Sequence, residues 1–187
     1  MFLKRVILGL ILGLLPLSFA QGASKEASLR VAFVYNFIKF TEWPNQAATA
    51  SLHLCVLGAD RDAKEALTPL NGQPVITQKI DGKSLVKQAV ELVFLDDPTS
   101  TLQQLKSCHI LYRPTHSMPI AVPDPLPLGV LFIADDPEPL ESNVSIALRR
   151  SRAGTIEFSI SAAAVNLAGV NISSQMLKLA KNSQGGK

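Results

Sequence analysis

Short apolar runs alternate with segments of helical composition along most of the chain, and this alternation limits the fold more than any other feature. The segments at 52–58, 74–80, 90–95, 108–113 and 129–134 predict strands, and those at 59–68, 84–89, 99–106, 161–167 and 173–181 predict helices. The pair 144–149 and 155–160 predicts a hairpin. Strands separated by short helices favour parallel pairing. We therefore predict an α/β fold: a compact single domain whose mixed, mostly parallel sheet is flanked by helices on both faces.

A longer helix is predicted at residues 27–41, before the first of these strands. Leu29, Phe33, Phe37 and Phe40 fall on one stripe of it, and Trp43-Pro44 ends it because a residue before proline is kept out of the α region. We expect Trp43 to lie in the core. Exposed apolar positions of this helix are candidates for a contact with a partner, and among them we name Phe33, Phe37 and Phe40.

The N-terminus has the three parts of a secretory signal peptide. Lys4 and Arg5 precede an apolar run at 6–17, and Ser18-Phe19-Ala20 places small residues at a cleavage site. An uncleaved anchor helix is the alternative, but the run of roughly 12 residues is shorter than the ~20 that a membrane span needs. We predict cleavage after Ala20, export to the periplasm, and a mature domain at 21–187.

The charge of the mature chain argues against nucleic acid as a partner. The signal peptide holds two basic residues and no acidic ones, so its removal lowers the net charge from +3 to +1. A nucleic-acid-binding domain normally carries a pronounced basic surface. The content of charged residues is only 18%, and 47% are hydrophobic. This composition suits a binding protein whose surface is partly covered by a partner.

The chain has two cysteines, Cys55 and Cys108, and each lies in an apolar run that predicts a strand. In an exported protein such a pair is usually bonded, and two buried free thiols are the alternative. A cysteine–histidine metal site has less support than either of these alternatives. His53 and His109 each lie close to or beside a cysteine, but adjacent residues of a strand point to opposite faces.

Two acidic pairs are the only residues that suggest catalysis or metal binding. The common nucleophile, zinc and nucleotide motifs are absent, and His53, His109 and His116 lack metal-ligand spacing. Asp96-Asp97 and Asp135-Asp136 each follow a predicted strand, where α/β proteins collect ligand-binding carboxylates. They would hold a divalent cation or act as an acid–base pair. The alternative is that each pair caps a helix or starts a turn. We expect no catalytic residue, no metal and no cofactor.

Arg149, Arg150 and Arg152 form a cationic run close to the tip of the predicted hairpin. Such a run would bind an anionic ligand or a protein partner, since arginine is one of the residue types that usually carry protein contacts. The alternative is a turn whose arginines are merely solvated. We name these three arginines, with the three phenylalanines, as candidate partner-binding residues.

Three stretches resemble one protein family. The first is VYNFIKFTEWP at 34–44, and the second is LHLCVLG at 52–58 together with CHILY at 108–112. The third is FSISAAAVNLAGVNISSQMLKLA at 158–180. In this order and spacing they resemble the YfiR family of periplasmic proteins, and the resemblance covers essentially the whole mature chain.

The resemblance implies a function as a regulator. It implies a compact α/β domain that forms homodimers and binds the periplasmic domain of an inner-membrane diguanylate cyclase, which it holds inactive. An OmpA-like outer-membrane lipoprotein would relieve the repression by binding the inhibitor. The resemblance also implies a bond between Cys55 and Cys108.

The chain departs from the family pattern at three points. Ser142-Asn143 stand where the family often has two glycines, Ser161 stands where an asparagine is common, and a second cysteine pair is absent. Two other functions stay open. One is a periplasmic small-molecule binder with a pocket near Asp96 and Asp135, and the other is a hydrolase that uses the same carboxylates.

Overall fold

The fold consists of a seven-stranded sheet, a two-stranded sheet, five α-helices and two short 3-10 helices among the residues that the computed structural model describes, which are 20–43, 51–80, 83–139 and 141–181. The predicted signal peptide, apart from Ala20, lies outside these residues. The α-helices are α1 (Ala20–Lys39), α2 (Arg61–Leu67), α3 (Pro98–Gln104), α4 (Ala162–Ala168) and α5 (Ser174–Leu179). The strands are β1 (Thr41–Glu42), β2 (Ser51–Leu57), β3 (Pro74–Ile80), β4 (Lys83–Leu95), β5 (Ile110–Arg113), β6 (Leu131–Asp135), β7 (Ile146–Arg150), β8 (Ile156–Ile160) and β9 (Asn171–Ile172).

The main sheet is mixed and mostly parallel, as predicted. Its order is β3-β4-β2-β5-β6-β7-β8. The five central strands run parallel, while β3 and β8 pair antiparallel at the two edges. The chain continues from β2 to one side of the sheet, through β3 and β4, and then returns to the other side at β5. The boundary between β2 and β5 is therefore the point at which the strand order reverses.

Alternate residues of the central strands divide the core between the two faces of the sheet. Leu54, Val56 and Ile110 belong to one cluster together with buried residues of α1, α2, α4 and α5. Cys55 and Leu111 point to the other face, where Leu105 after α3 packs on them. Because central parallel strands are covered on both sides, their sequences are apolar without a strict polar alternation.

The proline-rich segment 114–127 covers the second face without forming a helix or strand. Ile120 is buried in the second cluster, and Val122 and Leu126 pack against it. The five prolines of the segment predict that regular structure stops here, and the structure agrees. The structure adds that this irregular segment contributes to the core beside α3.

Helix α1 begins earlier than predicted and buries a different stripe. The buried positions include Val34, Phe37 and Ile38, whereas Leu29 is 47% exposed and Phe40 is 37% exposed. Phe37 packs edge-on against Phe158 with ring centroids 5.0 Å apart, so it serves the core. The prediction that Phe37 contacts a partner is corrected, because a side chain with 1% exposure has no surface to offer. No helix of the described residues is long and apolar enough to cross a membrane.

Trp43 lies in the core at the end of α1, as the sequence predicted. Its side chain is buried, and its indole N–H donates a hydrogen bond to the carbonyl of Gly129 at 2.9 Å. Buried tryptophans usually satisfy their single donor in this way. Trp43 therefore joins the end of α1 to the start of β6.

Residues 84–89, predicted as a short helix, form part of strand β4, so that prediction is wrong. The segment pairs antiparallel with β3, with Ser84 opposite Lys79 and Lys87 opposite Ile76. Helical propensity is worth only a fraction of a kcal/mol per residue, and a strand ladder formed with a neighbour overrides it. Local composition was a poor guide here because the partner strand decides.

The predicted bond between Cys55 and Cys108 is present. The two Cα atoms are 5.8 Å apart, within the range that a disulfide permits, and both residues are buried. The bond connects strand β2 with the residues just before β5, on the face covered by α3. The described residues contain no free cysteine.

Gly58 is the residue that lets the proline-rich segment pack over the end of β2. Its φ is +51°, and a Cβ at this position would lie 2.5 Å from the carbonyl oxygen of Met118. The Gly58 nitrogen donates to the Leu95 carbonyl, and the Gly58 carbonyl accepts from the Met118 nitrogen. Any side chain here would have to displace backbone.

We expect Gly58→Ala to lower the free energy of unfolding by roughly 1–3 kcal/mol from the left-handed backbone alone, with a further loss from the clash. Gly72→Ala is the matched control, because Gly72 has φ +80° but open space around its Cβ position. Urea denaturation of both variants separates the cost of the left-handed backbone from the cost of the clash with Met118. Equal losses would contradict the steric role assigned to Gly58.

Candidate functional site

A cleft of about 790 Å³ lies beyond the carboxyl ends of the parallel strands. It lies between α1 and α2, and its floor holds Tyr112 at the end of β5 and Asp135 at the end of β6. Residues from the segment 114–116 and Arg150 of β7 complete its border. Pockets for small molecules in proteins typically have volumes of about 300–1,000 Å³.

The position of this cleft in the sheet is the one where open α/β folds bind ligands. Ligands bind beyond the carboxyl ends of the strands, at the point where the strand order reverses. That point lies between β2 and β5 in this sheet. Asp60, which follows β2, and Tyr112 and Thr115, at and after the end of β5, all line the cleft.

A buried charged pair forms the floor of the cleft. Arg30 of α1 is 4% exposed and Asp135 is 6% exposed, and Arg30 Nη1 lies 3.3 Å from Asp135 Oδ1. The other carboxylate oxygen of Asp135 accepts hydrogen bonds from the Tyr112 hydroxyl at 2.9 Å and from the backbone and side chain of Thr115 at 3.1 Å. The pair therefore ties α1 to the ends of two neighbouring strands.

Three further charged groups extend the pair toward solvent. Arg30 Nη2 donates to Glu26 at 2.8 Å and to Asp136 at 2.9 Å. The second carboxylate oxygen of Glu26 lies 3.0 Å from Arg150 Nη1. Each guanidinium of this network thus faces at least one carboxylate. We call Glu26, Arg30, Asp135, Asp136 and Arg150 the charged network.

Burial dominates the ionisation of the floor residues. It raises the pKa of Asp135 above its ordinary value, although Arg30, Tyr112 and Thr115 act in the opposite direction. Burial and the neighbouring Asp135 carboxylate raise the pKa of Tyr112 well above its usual range. Burial lowers the pKa of Arg30, but Asp135, Glu26 and Asp136 together raise it. Groups with perturbed pKa values in a cleft are typical of functional sites.

Strained backbone occurs at the same place. His116 (φ 60°) and Asp136 (φ 43°) are the two residues other than glycine with positive φ in the part of the chain that the structure describes. His116 lines the cleft, and Asp136 binds Arg30. Backbone strain tends to persist where the surrounding structure enforces it, which is common at ligand sites.

The two acidic pairs predicted from the sequence do not come together. Asp96 follows β4 and Asp135 ends β6, with β2 and β5 between them, so three strand spacings of about 4.8 Å separate them. Asp96 pairs with Lys64 at 2.6 Å. Asp97 caps α3 and accepts from the Thr99 nitrogen, and this bond lowers its pKa. The capping alternative therefore holds for Asp97, and of the four aspartates only Asp135 lines the cleft.

The three arginines predicted to act together are separated by the structure. Arg150 points to the face that carries α1 and binds Glu26, whereas Arg149 donates to the Pro137 carbonyl at 2.6 Å. Arg152 lies exposed in the turn between β7 and β8, without a hydrogen bond or ion pair to a described residue. Phe40 lies at the opposite end of the sheet, where the parallel strands begin, and its carbonyl accepts a hydrogen bond from the Ser173 nitrogen.

His53 and His109 form a structural pair at the same end of the sheet as Phe40. His53 and His109 have ring centroids 5.5 Å apart, and His109 Nδ1 accepts from the His53 backbone nitrogen at 3.1 Å. Burial and the nearby His53 lower the pKa of His109. Within residues 20–43, 51–80, 83–139 and 141–181, no group of three or more histidine, cysteine, aspartate or glutamate side chains is placed to hold a metal ion.

Sequence reasoning missed the central residue of this site, Arg30. A signal for it exists: Arg30 falls among the apolar residues of the first helix, one position before Val31 and four before Val34. A charged residue on the buried side of a helix needs a partner of opposite charge. The sequence alone does not say which of 15 acidic residues provides it.

A family model described as YfiR/HmsC-like matches residues 27–181, which include every element from β1 to α5 and most of α1. No curated protein matches the chain.

Proposed function

We propose, from the premise that this chain belongs to the YfiR/HmsC-like family, that it is a periplasmic regulator that represses an inner-membrane diguanylate cyclase. The family match over residues 27–181 is the observation that carries the proposal. The predicted signal peptide at 1–20 supports the same compartment. In this proposal the protein acts as a homodimer, binds the periplasmic domain of the cyclase, and is sequestered by an OmpA-like lipoprotein.

A binding role agrees better with the site than hydrolysis does. The strand-end carboxylates are held by neighbours: Asp96 by Lys64 and Asp135 by Arg30. The described residues provide no set of metal ligands for a hydrolase. The cleft does favour the second binding function considered above, capture of a small molecule, and the two binding functions are compatible in one protein.

The candidate contact residues give a first surface to test. Phe40, Arg149 and Arg152 keep exposed side chains. Phe40 lies where the parallel strands begin, however, and the two arginines lie at the carboxyl end of β7. Arg152 is the most informative choice, because its replacement removes no hydrogen bond or ion pair to a described residue. Arginine is also among the residue types that contribute most to protein interfaces.

Deletion of the gene in the native host is expected to raise cyclic-di-GMP and surface attachment, because the repressed cyclase is released. Restoring the full chain should reverse both effects, and a chain lacking residues 1–20 should reverse neither, since it stays in the cytoplasm. Nucleotide extraction and quantification measure the outcome. An unchanged cyclic-di-GMP level in the deletion strain would contradict the proposed function.

The contact surface is tested in the same strain. Arg152→Glu is expected to restore less repression than the wild-type gene does, because it reverses a charge on the proposed surface. Lys178→Glu is the matched control, since Lys178 is exposed on α5 and undergoes the same charge change. Equal repression by the two variants would remove Arg152 from the contact.

A further inference from the structure

We propose that the cleft between α1 and α2 binds a small organic cation that has an apolar body, with the ammonium group on the α2 side. This inference does not depend on the cyclase function. It combines three observations: a cleft of about 790 Å³ at the reversal of the strand order, a buried charged floor, and an excess of carboxylates around it.

The charge balance of the cleft favours a cation over an anion. Arg30 faces Asp135 and Glu26, and Arg150 faces Glu26, so the charge of neither guanidinium is free for an anionic ligand. Asp60, Asp62 and Glu65 also line the cleft, and no lysine or arginine that lines it faces them. Asp62 and Glu65 are exposed and lie three residues apart, on the same side of α2.

The floor provides a second indication of a ligand. The Asp135 side chain is 1% exposed, yet its Oδ1 atom accepts no hydrogen bond, and the neighbouring Arg30 Nη1 donates none. Buried polar atoms are nearly always hydrogen-bonded, and exceptions concentrate where a water, an ion or a ligand belongs. The contact between these two atoms at 3.3 Å is thus an ion pair without hydrogen-bond geometry, so Asp135 Oδ1 keeps the capacity to accept a hydrogen bond from a polar group in the cleft.

The walls explain why the ligand needs an apolar body. Val31 of α1 faces the cleft, as do Ala63, Ala66 and Leu67 of α2 and Pro114 after β5. A bare inorganic cation would leave this apolar surface wet and has no group of three ligands among the described residues. An ammonium attached to an aromatic or aliphatic group satisfies both parts of the cleft, since apolar contact gives affinity and the carboxylates fix orientation.

The test uses phenethylammonium with two matched compounds, phenylacetate and phenylethanol, each titrated at millimolar concentration into the wild-type protein. Amide chemical shifts report the site. We expect saturable shifts with phenethylammonium that cluster on the first half of α1, on α2 and on 112–116. Binding should be at least about tenfold weaker for the anion and should weaken with added salt, because the contacts are charged.

Variants of the α2 carboxylates Asp62 and Glu65 test whether charge or shape determines binding. Asp62→Asn combined with Glu65→Gln is expected to weaken phenethylammonium binding by about tenfold, as the loss of two partly exposed charge contacts implies. Glu138→Gln, an exposed acid outside the cleft, is the control and should leave binding unchanged. Three results would overturn the proposal: no saturable shifts with phenethylammonium, equal binding of phenylethanol, or an unaffected double variant.

Discussion

Loss of the Cys55–Cys108 bond is expected to lower the free energy of unfolding by about 4 kcal/mol, which is the chain-entropy value for this loop. The two cysteines are 53 residues apart in sequence, so the bond removes many conformations from the unfolded chain. For a domain of this size the melting temperature should fall by roughly 10 °C. Urea denaturation of the oxidised protein and of the same protein fully reduced measures the difference.

Comparing oxidised and reduced wild-type protein keeps the side-chain volumes nearly constant. The double variant Cys55→Ala/Cys108→Ala is a second measurement, and we expect it to lose somewhat more, because both positions are buried and alanine leaves a small void. Thiol titration of the unfolded, unreduced protein should find no free thiol. A stability difference below about 1 kcal/mol would show that the bond does not constrain the unfolded chain in the way the loop length implies.

Replacement of Arg30 by methionine is expected to lower the free energy of unfolding by about 3–5 kcal/mol at neutral pH, because it leaves the Asp135 carboxylate buried without its cation. Tyr112 and Thr115 still donate to Asp135, but neither carries a compensating charge. The double variant Arg30→Met/Asp135→Asn removes both charges and should recover a large part of the loss. Chemical denaturation of the wild type, both single variants and the double variant gives the coupling energy.

The loss in Arg30→Met should depend on pH in a defined direction. Burial holds the folded-state pKa of Asp135 above its ordinary value of 3.8, and removing Arg30 raises it further. Between the ordinary pKa and the raised folded-state pKa, the folded protein binds more protons than the unfolded chain does. The free energy of unfolding therefore declines as the pH rises through this range to the folded-state pKa. The deficit of Arg30→Met should therefore shrink as the pH falls from neutral toward the ordinary Asp135 pKa of 3.8. A deficit independent of pH, or equal in the double variant, would contradict an uncompensated Asp135 charge.

Most secondary structure was predictable from sequence because its signals are local. Apolar runs such as 52–58 predicted β2, and the last two helices begin after serines that cap them, with Ser161 accepting from the Ala164 nitrogen and Ser173 from the Met176 nitrogen. The helix predicted at 84–89 was wrong because the signal there is not local. That segment's structure is decided by pairing with β3, and a pairing partner is not visible in local composition.

The candidate site was only partly predictable. Asp135-Asp136 was identified because it follows an apolar strand, and Arg150 because it lies in a cationic run. The predicted grouping of residues was wrong in both cases: Asp96-Asp97 lies across two intervening strands, and Arg149 and Arg152 have different surroundings from Arg150. Which side chains meet depends on strand order, and strand order is a property of the whole chain.

The sequence by itself determined the fold class, most of the helices and strands, and the proline-rich interruption, because each depends on residues close together in the chain. Only the tertiary structure decided that Arg30 lies against Asp135 and Asp136, which is a contact across 106 residues in the latter case. It also decided that the strand order reverses beside this pair, and so placed the cleft there. A buried charge fixes the need for a partner, but the packing of α1 on the sheet selects which carboxylate meets it.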